Sequence, residues 1–122
     1  MASHTMTDPW DRAWLGLDGD PSGAANIALE AVDRHVASGR GDHTAIRWLG
    51  RHAERVELTY SELAEQTDRV VSVLRSLGGR PNDRLFALAT RVPELYVGAL
   101  GTLKAGMVIS PLYSEFGPAQ IN

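Results

Sequence analysis

Apolar residues recur three and four positions apart over Leu63, Thr67, Val70, Val71, Leu74 and Leu77, the spacing of one face of an amphipathic helix. Thr59 and Glu62 stand just ahead of that run at capping-box spacing, where each side chain satisfies a backbone amide that the helix leaves unpaired. Gly78-Gly79 provides a left-handed stop, and Pro81 prevents continuation. Upstream, Ala28, Val32, His35 and Val36 follow the same period, so a helix over 27–38 is predicted, capped by Asn26 and ended by Gly39. Between the two helices lie a strand over 44–49, a turn at Gly50-Arg51-His52-Ala53 and a strand over 55–58, which together predict a hairpin.

The pattern changes after Pro81. Residues 84–89 (Arg-Leu-Phe-Ala-Leu-Ala) and 107–112 are short apolar runs, expected as strands covered on both faces. The segment between them starts with Pro93 and Glu94, suited to a first helical turn, and is apolar nearly all round through Lys104. Gly98 and Gly101 lower its helical propensity, so tertiary packing has to hold it. Strand, helix and strand at this spacing predict a parallel βαβ unit with a right-handed crossover. Gly117-Pro118-Ala119-Gln120 then has the form of another helix start, two residues before Asn122, and the last strand is expected to leave an open edge through which chains could self-associate. The fold class expected is α/β: a partial three-layer domain with a β-hairpin and a parallel βαβ unit. Residues 1–24, with turn formers at Asp18-Gly19-Asp20-Pro21 and an apolar Trp10, Trp14 and Leu17, are expected as an irregular arm, and 25–122 as an incomplete α/β domain.

Composition narrows the function classes. The 122 residues are 43% hydrophobic and 22% charged, ordinary for one soluble domain. A net charge of −3 with both signs dispersed gives no basic face for nucleic acid and none for a membrane surface. The absence of cysteine excludes disulfides, thiolate metal ligands and a cysteine nucleophile. The first residues lack the apolar core of a signal peptide, and the apolar run around 95–103 is too short to span a bilayer, so a cytoplasmic location is expected.

The chemical inventory is sparse. His4, His35, His43 and His52 fall in different segments, no pair has metal-ligand spacing, and surface or capping roles are expected for them. Gly78-Gly79 ends a helix rather than opening one, the wrong polarity for cradling phosphate. Asp83 is expected as a turn acid, Asp33-Arg34 as part of a solvated helix face, and Glu65 with Arg69 as a favourable four-residue pair. Open parallel sheets form ligand sites at the carboxyl ends of their strands. Arg91 and the segment Tyr113-Ser114-Glu115 occupy those positions and are the candidate pocket residues.

Taken in order, several segments resemble the start of the AMP-forming acyl-coenzyme A synthetases, in particular the acetyl-coenzyme A synthetase branch. These are the helix Asn26-Ile27-Ala28-Leu29-Glu30-Ala31-Val32-Asp33-Arg34-His35, the corner Leu58-Thr59-Tyr60-Ser61-Glu62-Leu63, and Val73-Leu74-Arg75-Ser76-Leu77-Gly78. Asn82-Asp83-Arg84, Val92-Pro93-Glu94-Leu95, Leu103-Lys104-Ala105-Gly106 and Pro111-Leu112-Tyr113-Ser114-Glu115-Phe116-Gly117-Pro118 follow at matching spacing. Asn82 stands where such enzymes commonly have glycine, a mild departure because asparagine tolerates left-handed geometry. The resemblance implies the amino-terminal part of a large adenylate-forming domain. The complete enzymes join a small carboxylate to ATP with Mg2+ as an acyl-adenylate and pass the acyl group to coenzyme A. The resemblance places Tyr113, Ser114 and Glu115 near the coenzyme A nucleotide, although a carboxylate at 115 repels phosphate where similar enzymes carry small or neutral residues. It also implies a glycine- and serine-rich phosphate loop ending in lysine, a ribose-binding acid and a catalytic lysine, none of which occurs in these 122 residues. The chain alone is therefore expected to bind no cofactor and to be inactive, its partner being the remainder of a synthetase. The competing expectation is a self-contained α/β binding or interaction module.

Overall fold

The computed structural model describes residues 25–112 together with residues 9, 13, 15–17, 115 and 117. The expected arm residues Trp10 and Trp14 lie outside the described residues, as does the helix start at 118–120.

Helix α1 covers residues 27–40 and is built mainly of π-type turns, Leu29–Asp33 and Val36–Arg40, rather than the regular helix expected. Asn26 caps it as the sequence predicts: its Oδ1 accepts from the Ala28 amide at 3.0 Å and the Leu29 amide at 3.4 Å. Gly39 takes a left-handed φ of 81°, where a Cβ is disfavoured, and breaks the helical run. Strands β1 (Thr44–Leu49) and β2 (Arg55–Thr59) pair antiparallel, with an irregularity between Thr44 and Ile46.

Helix α2 (Tyr60–Ser76) follows without a loop because Thr59 both ends β2 and caps the helix. Its amide donates to Glu62 Oε2 at 2.8 Å, while the Glu62 amide donates to Thr59 Oγ1 at 3.2 Å. The Thr59 amide, and after it the Thr59 hydroxyl, which donates to the same carboxylate oxygen at 3.0 Å, favour the ionised acid and hold the Glu62 carboxyl below its ordinary pKa. Leu63, Thr67 and Val71 are the buried positions of this helix. Leu77 lies past its end and is exposed, so the apolar stripe is one residue shorter than its periodicity suggested.

Strand β3 (Arg84–Leu88), helix α3 (Pro93–Lys104) and strand β4 (Val108–Leu112) form the expected parallel unit, Arg84 pairing with Val108 and Leu88 with Leu112. Asp83 is the turn acid anticipated, its Oδ2 accepting from the Arg80 amide at 2.8 Å. Asn82 adopts φ 69°, the left-handed geometry that its side chain tolerates.

The core lies between the helices. Val32 of α1, Leu63 of α2 and Val97 of α3 form one buried cluster, and Val71, Ala105 and Met107 a second nearer the sheet. Helices α2 and α3 approach closely at Gly101, where a Cβ would stand 2.5 Å from Val70 Cβ. The expectation that β3 and β4 are covered on both faces needs correction. Leu85 and Ala87 turn toward the helices, but Phe86, Leu88 and Val108 on the opposite face are 63%, 54% and 49% exposed. A two-stranded sheet with helices on one side has no second layer to bury them, so two of the three expected layers are present among the described residues.

Candidate functional site

Because β3 and β4 run parallel and in register to Leu88 and Leu112, their carboxyl ends open on one rim. Arg91 leaves that rim from β3 and Glu115 from β4, the two positions that the sequence singled out. Both are exposed. Tyr113 and Ser114 lie outside the described residues.

The connection after β3 is held by two backbone-directed bonds. The Val92 amide donates to the Thr90 carbonyl at 2.9 Å, and the Trp48 indole N–H donates to the Arg91 carbonyl at 2.7 Å. The hairpin therefore braces the rim through Trp48. Sequence reasoning missed this link, since nothing local to Trp48 marks a partner 43 residues away.

Along the β3 side of the unit runs an apolar groove of about 300 Å3, with Ala87, Leu88, Val92, Leu95, Gly98 and Ala99 among its walls and Glu94 exposed beside it. Its lining offers shape and hydrophobic contact but no nucleophile or acid–base pair. Among the described residues no group of three or more His, Asp or Glu comes together to hold a metal ion.

The other polar side chains serve the framework. His35 packs against the Tyr60 ring at a centroid distance of 4.6 Å, and its Nδ1 lies 2.7 Å from Arg40 Nη2. Desolvation, then the positive charges of Arg40 and Arg34, hold its pKa below the ordinary histidine value, so a neutral ring accepting from Arg40 is the favoured form. Glu65 and Arg69 pair as their spacing predicted.

Asp33 departs from expectation. Instead of facing solvent, its Oδ1 accepts from Lys104 Nζ at 2.6 Å, and the same ammonium reaches Asp68 Oδ1 at 2.7 Å. Lys104 thus ties α1, α2 and α3 together at one point. Asp33 Oδ2 is buried without a hydrogen-bond partner, which makes its carboxylate depend on that single ammonium. Asn26 adds a second tie, its Nδ2 donating to the Leu103 carbonyl at 3.0 Å and the Lys104 carbonyl at 3.4 Å. One side chain therefore caps the start of α1, a contribution of about 1 kcal/mol, and also bonds the carbonyls at the end of α3.

The described residues thus form a helical layer on one face of a parallel sheet with an open strand-end rim. The sequence profile of the AMP-binding enzyme family matches residues 33–122, and the chain belongs to that family. It is 36% identical over 109 residues to an acetyl-coenzyme A synthetase of Bacillus subtilis, a match covering 88% of this chain and 19% of the relative. An acetyl-coenzyme A synthetase of Syntrophus aciditrophicus is 35% identical over 121 residues, covering 93% of this chain and 18% of the relative. Among solved structures, a Brucella canis acyl-CoA synthetase superposes with a TM-score of 0.84 at 29% identity, over 94% of this chain and 21% of its own. An acetoacetyl-CoA synthetase from Streptomyces lividans gives 0.70 at 29% identity, over 77% of this chain and 14% of its own. The chain spans about a fifth of the length of the curated relatives it matches.

Proposed function

We propose that this chain is the opening part of the large domain of an ATP-dependent acyl-coenzyme A synthetase, and that its own contribution is structural. Residues 25–122 act as the incomplete domain and 1–24 as its arm. The whole enzyme activates a short carboxylic acid, acetate being the first choice, as an acyl-adenylate with ATP and Mg2+, then forms the thioester with coenzyme A. The observation that carries this reading is the superposition of 94% of this chain on the Brucella canis acyl-CoA synthetase with a TM-score of 0.84, combined with 36% identity to the Bacillus subtilis acetyl-coenzyme A synthetase.

Within that enzyme we assign Tyr113, Ser114 and Glu115 to the vicinity of the coenzyme A nucleotide, the carboxylate of Glu115 disfavouring direct contact with phosphate. Trp48 steadies the neighbouring loop by its bond to the Arg91 carbonyl. The exposed apolar face of β3 and β4 supports a scaffold over a self-contained module, because an uncovered patch of that kind marks a contact surface. No helix among the described residues is long and apolar enough to cross a membrane. A cytoplasmic enzyme fits that observation.

A chimera tests the reading. This chain replaces the matching start of the Bacillus subtilis acetyl-coenzyme A synthetase, and acetate-dependent pyrophosphate release is measured. Activity within about tenfold of the parent is expected, since a framework exchange leaves the transition-state contacts in the retained part. A folded chimera without acetate-dependent release overturns the proposal.

A further inference from the structure

The rim at the carboxyl ends of β3 and β4 carries two charges of opposite sign. Leu88 pairs with Leu112, and three residues past each of them the chain presents Arg91 and Glu115, both exposed. Neighbouring strands lie about 4.8 Å apart, so the two segments leave the sheet from adjacent points. Neither the Arg91 guanidinium nor the Glu115 carboxylate makes a hydrogen bond or an ion pair among the described residues. Arg47, Arg55 and Arg69, by contrast, are engaged by neighbouring carboxylates. Of the arginines without such a partner, Arg51 stands in the hairpin turn, Arg75 in the last turn of α2, and Arg80 and Arg84 at the amino end of β3. Among the described residues, Arg91 is the free cation at the end of the sheet where parallel strands bind ligands.

The backbone under Arg91 is fixed. Its carbonyl accepts from the Trp48 indole at 2.7 Å, and the Val92 amide donates to the Thr90 carbonyl at 2.9 Å. Pro93 then locks the next φ. A cation on a pre-ordered loop binds without the cost of ordering that loop. Its planar guanidinium matches two phosphate oxygens at once. Glu115 acts in the opposite sense, since a carboxylate repels phosphate. An anion arriving at the rim is drawn to the β3 side and turned away from the β4 side.

We infer that the Arg91 guanidinium binds a phosphate of coenzyme A, with Trp48 as the residue that positions it and Glu115 as the charge that keeps the phosphate off the segment after β4. The inference rests on the functional reading above, which assigns Tyr113, Ser114 and Glu115 of the same rim to the vicinity of that nucleotide. It moves the phosphate contact itself to the opposite strand end.

The test uses the chimera described above. Acetate-dependent pyrophosphate release without coenzyme A reports adenylation, and acetyl-coenzyme A formation reports the second step. Arg91→Gln raises KM for coenzyme A about tenfold and leaves KM for ATP in adenylation within about twofold. Arg91→Lys keeps the charge but loses the paired geometry, and raises KM for coenzyme A about threefold. Glu115→Gln removes the repulsion and lowers it about threefold. Trp48→Phe removes the indole N–H and raises it about threefold, yet adds nothing to Arg91→Gln in the double variant, because the indole acts through that side chain. Arg75→Gln, an equal loss of charge at the opposite end of the unit, changes it by less than about twofold.

An unchanged KM for coenzyme A in Arg91→Gln overturns the inference, and so does an equal rise in Arg75→Gln, the mark of a general charge effect. A matching rise in KM for ATP overturns it by assigning the contact to the other nucleotide. Additive effects of Trp48→Phe and Arg91→Gln overturn the positioning role. In each of these cases an active parent chimera leaves the synthetase reading standing. A folded chimera without adenylation removes that reading, and this inference with it.

Discussion

Gly101→Ala lowers the stability of the chain by about 2 kcal/mol, whereas Gly98→Ala on the same helix raises it by up to about 1 kcal/mol. The two glycines lie one turn apart and carry the same intrinsic penalty in a helix. Their surroundings differ. A Cβ at Gly101 would sit 2.5 Å from Val70 Cβ, 2.6 Å from Val70 Cγ1 and 3.1 Å from the Thr67 carbonyl. None of these is the loose end of a side chain, so α2 and α3 have to separate. Forcing such overpacking costs about 3 kcal/mol, of which helical propensity returns about 1. At Gly98 no atom stands in the way, and only the propensity gain remains. Urea unfolding of both variants decides it. Equal effects of the same sign would show that the helices do not cross at Gly101.

Lys104→Met carries the second large effect, a loss of about 2 kcal/mol. The Lys104 side chain is 10% exposed, and its ammonium is bonded to Asp33 and Asp68 together. Removing it leaves Asp33 with one oxygen already buried and unpaired and the other without its ammonium partner. The cost stays below that of a fully buried ion pair because Asp68 is 63% exposed and water takes over its solvation. Asp68→Ala accordingly costs under about 1 kcal/mol. Burial by itself is the largest single influence on Lys104 and lowers its pKa, but the hydrogen bonds and charges of Asp33 and Asp68 together outweigh it and hold the ammonium above the ordinary lysine value. A group whose folded pKa is raised stabilises fully below its unfolded pKa, about 10.4 for lysine, and loses that contribution as pH rises through the folded value. Stability of the parent chain therefore falls in that alkaline window, and the Lys104→Met variant lacks this part of the fall.

What the sequence disclosed and what it hid divide along chain distance. Thr59 with Glu62, Pro93 at the start of α3, Gly78 after α2 and Asn82 in its turn are signals between near neighbours, and each appears where its local chemistry placed it. The ties between elements are of another kind. Asn26 reaches a carbonyl 77 residues on, Lys104 an acid 71 residues back, and Trp48 a carbonyl 43 residues on. No local pattern distinguishes Asp33 in this role from the solvated acid that its neighbour Arg34 suggests. The π-type winding of α1 is equally silent, since its apolar spacing passes for that of a regular helix. The uncovered face of β3 was misjudged for a physical reason: an apolar strand implies a cover without saying which part of a protein supplies it. Of the candidate site, the rim was legible because parallel strands end in a common place, and Arg91 and Glu115 stand on it.

The groups that grip a triphosphate and stabilise developing charge have to be preorganised around the reacting atoms, and in the function proposed above this chain contributes a foundation for them rather than the groups themselves. The most direct test supplies the isolated 122-residue chain with acetate, ATP and Mg2+ and follows acetate-dependent pyrophosphate release together with acetyl-adenylate. The account predicts neither product above the uncatalysed background. Turnover that depends on both acetate and the chain would contradict it.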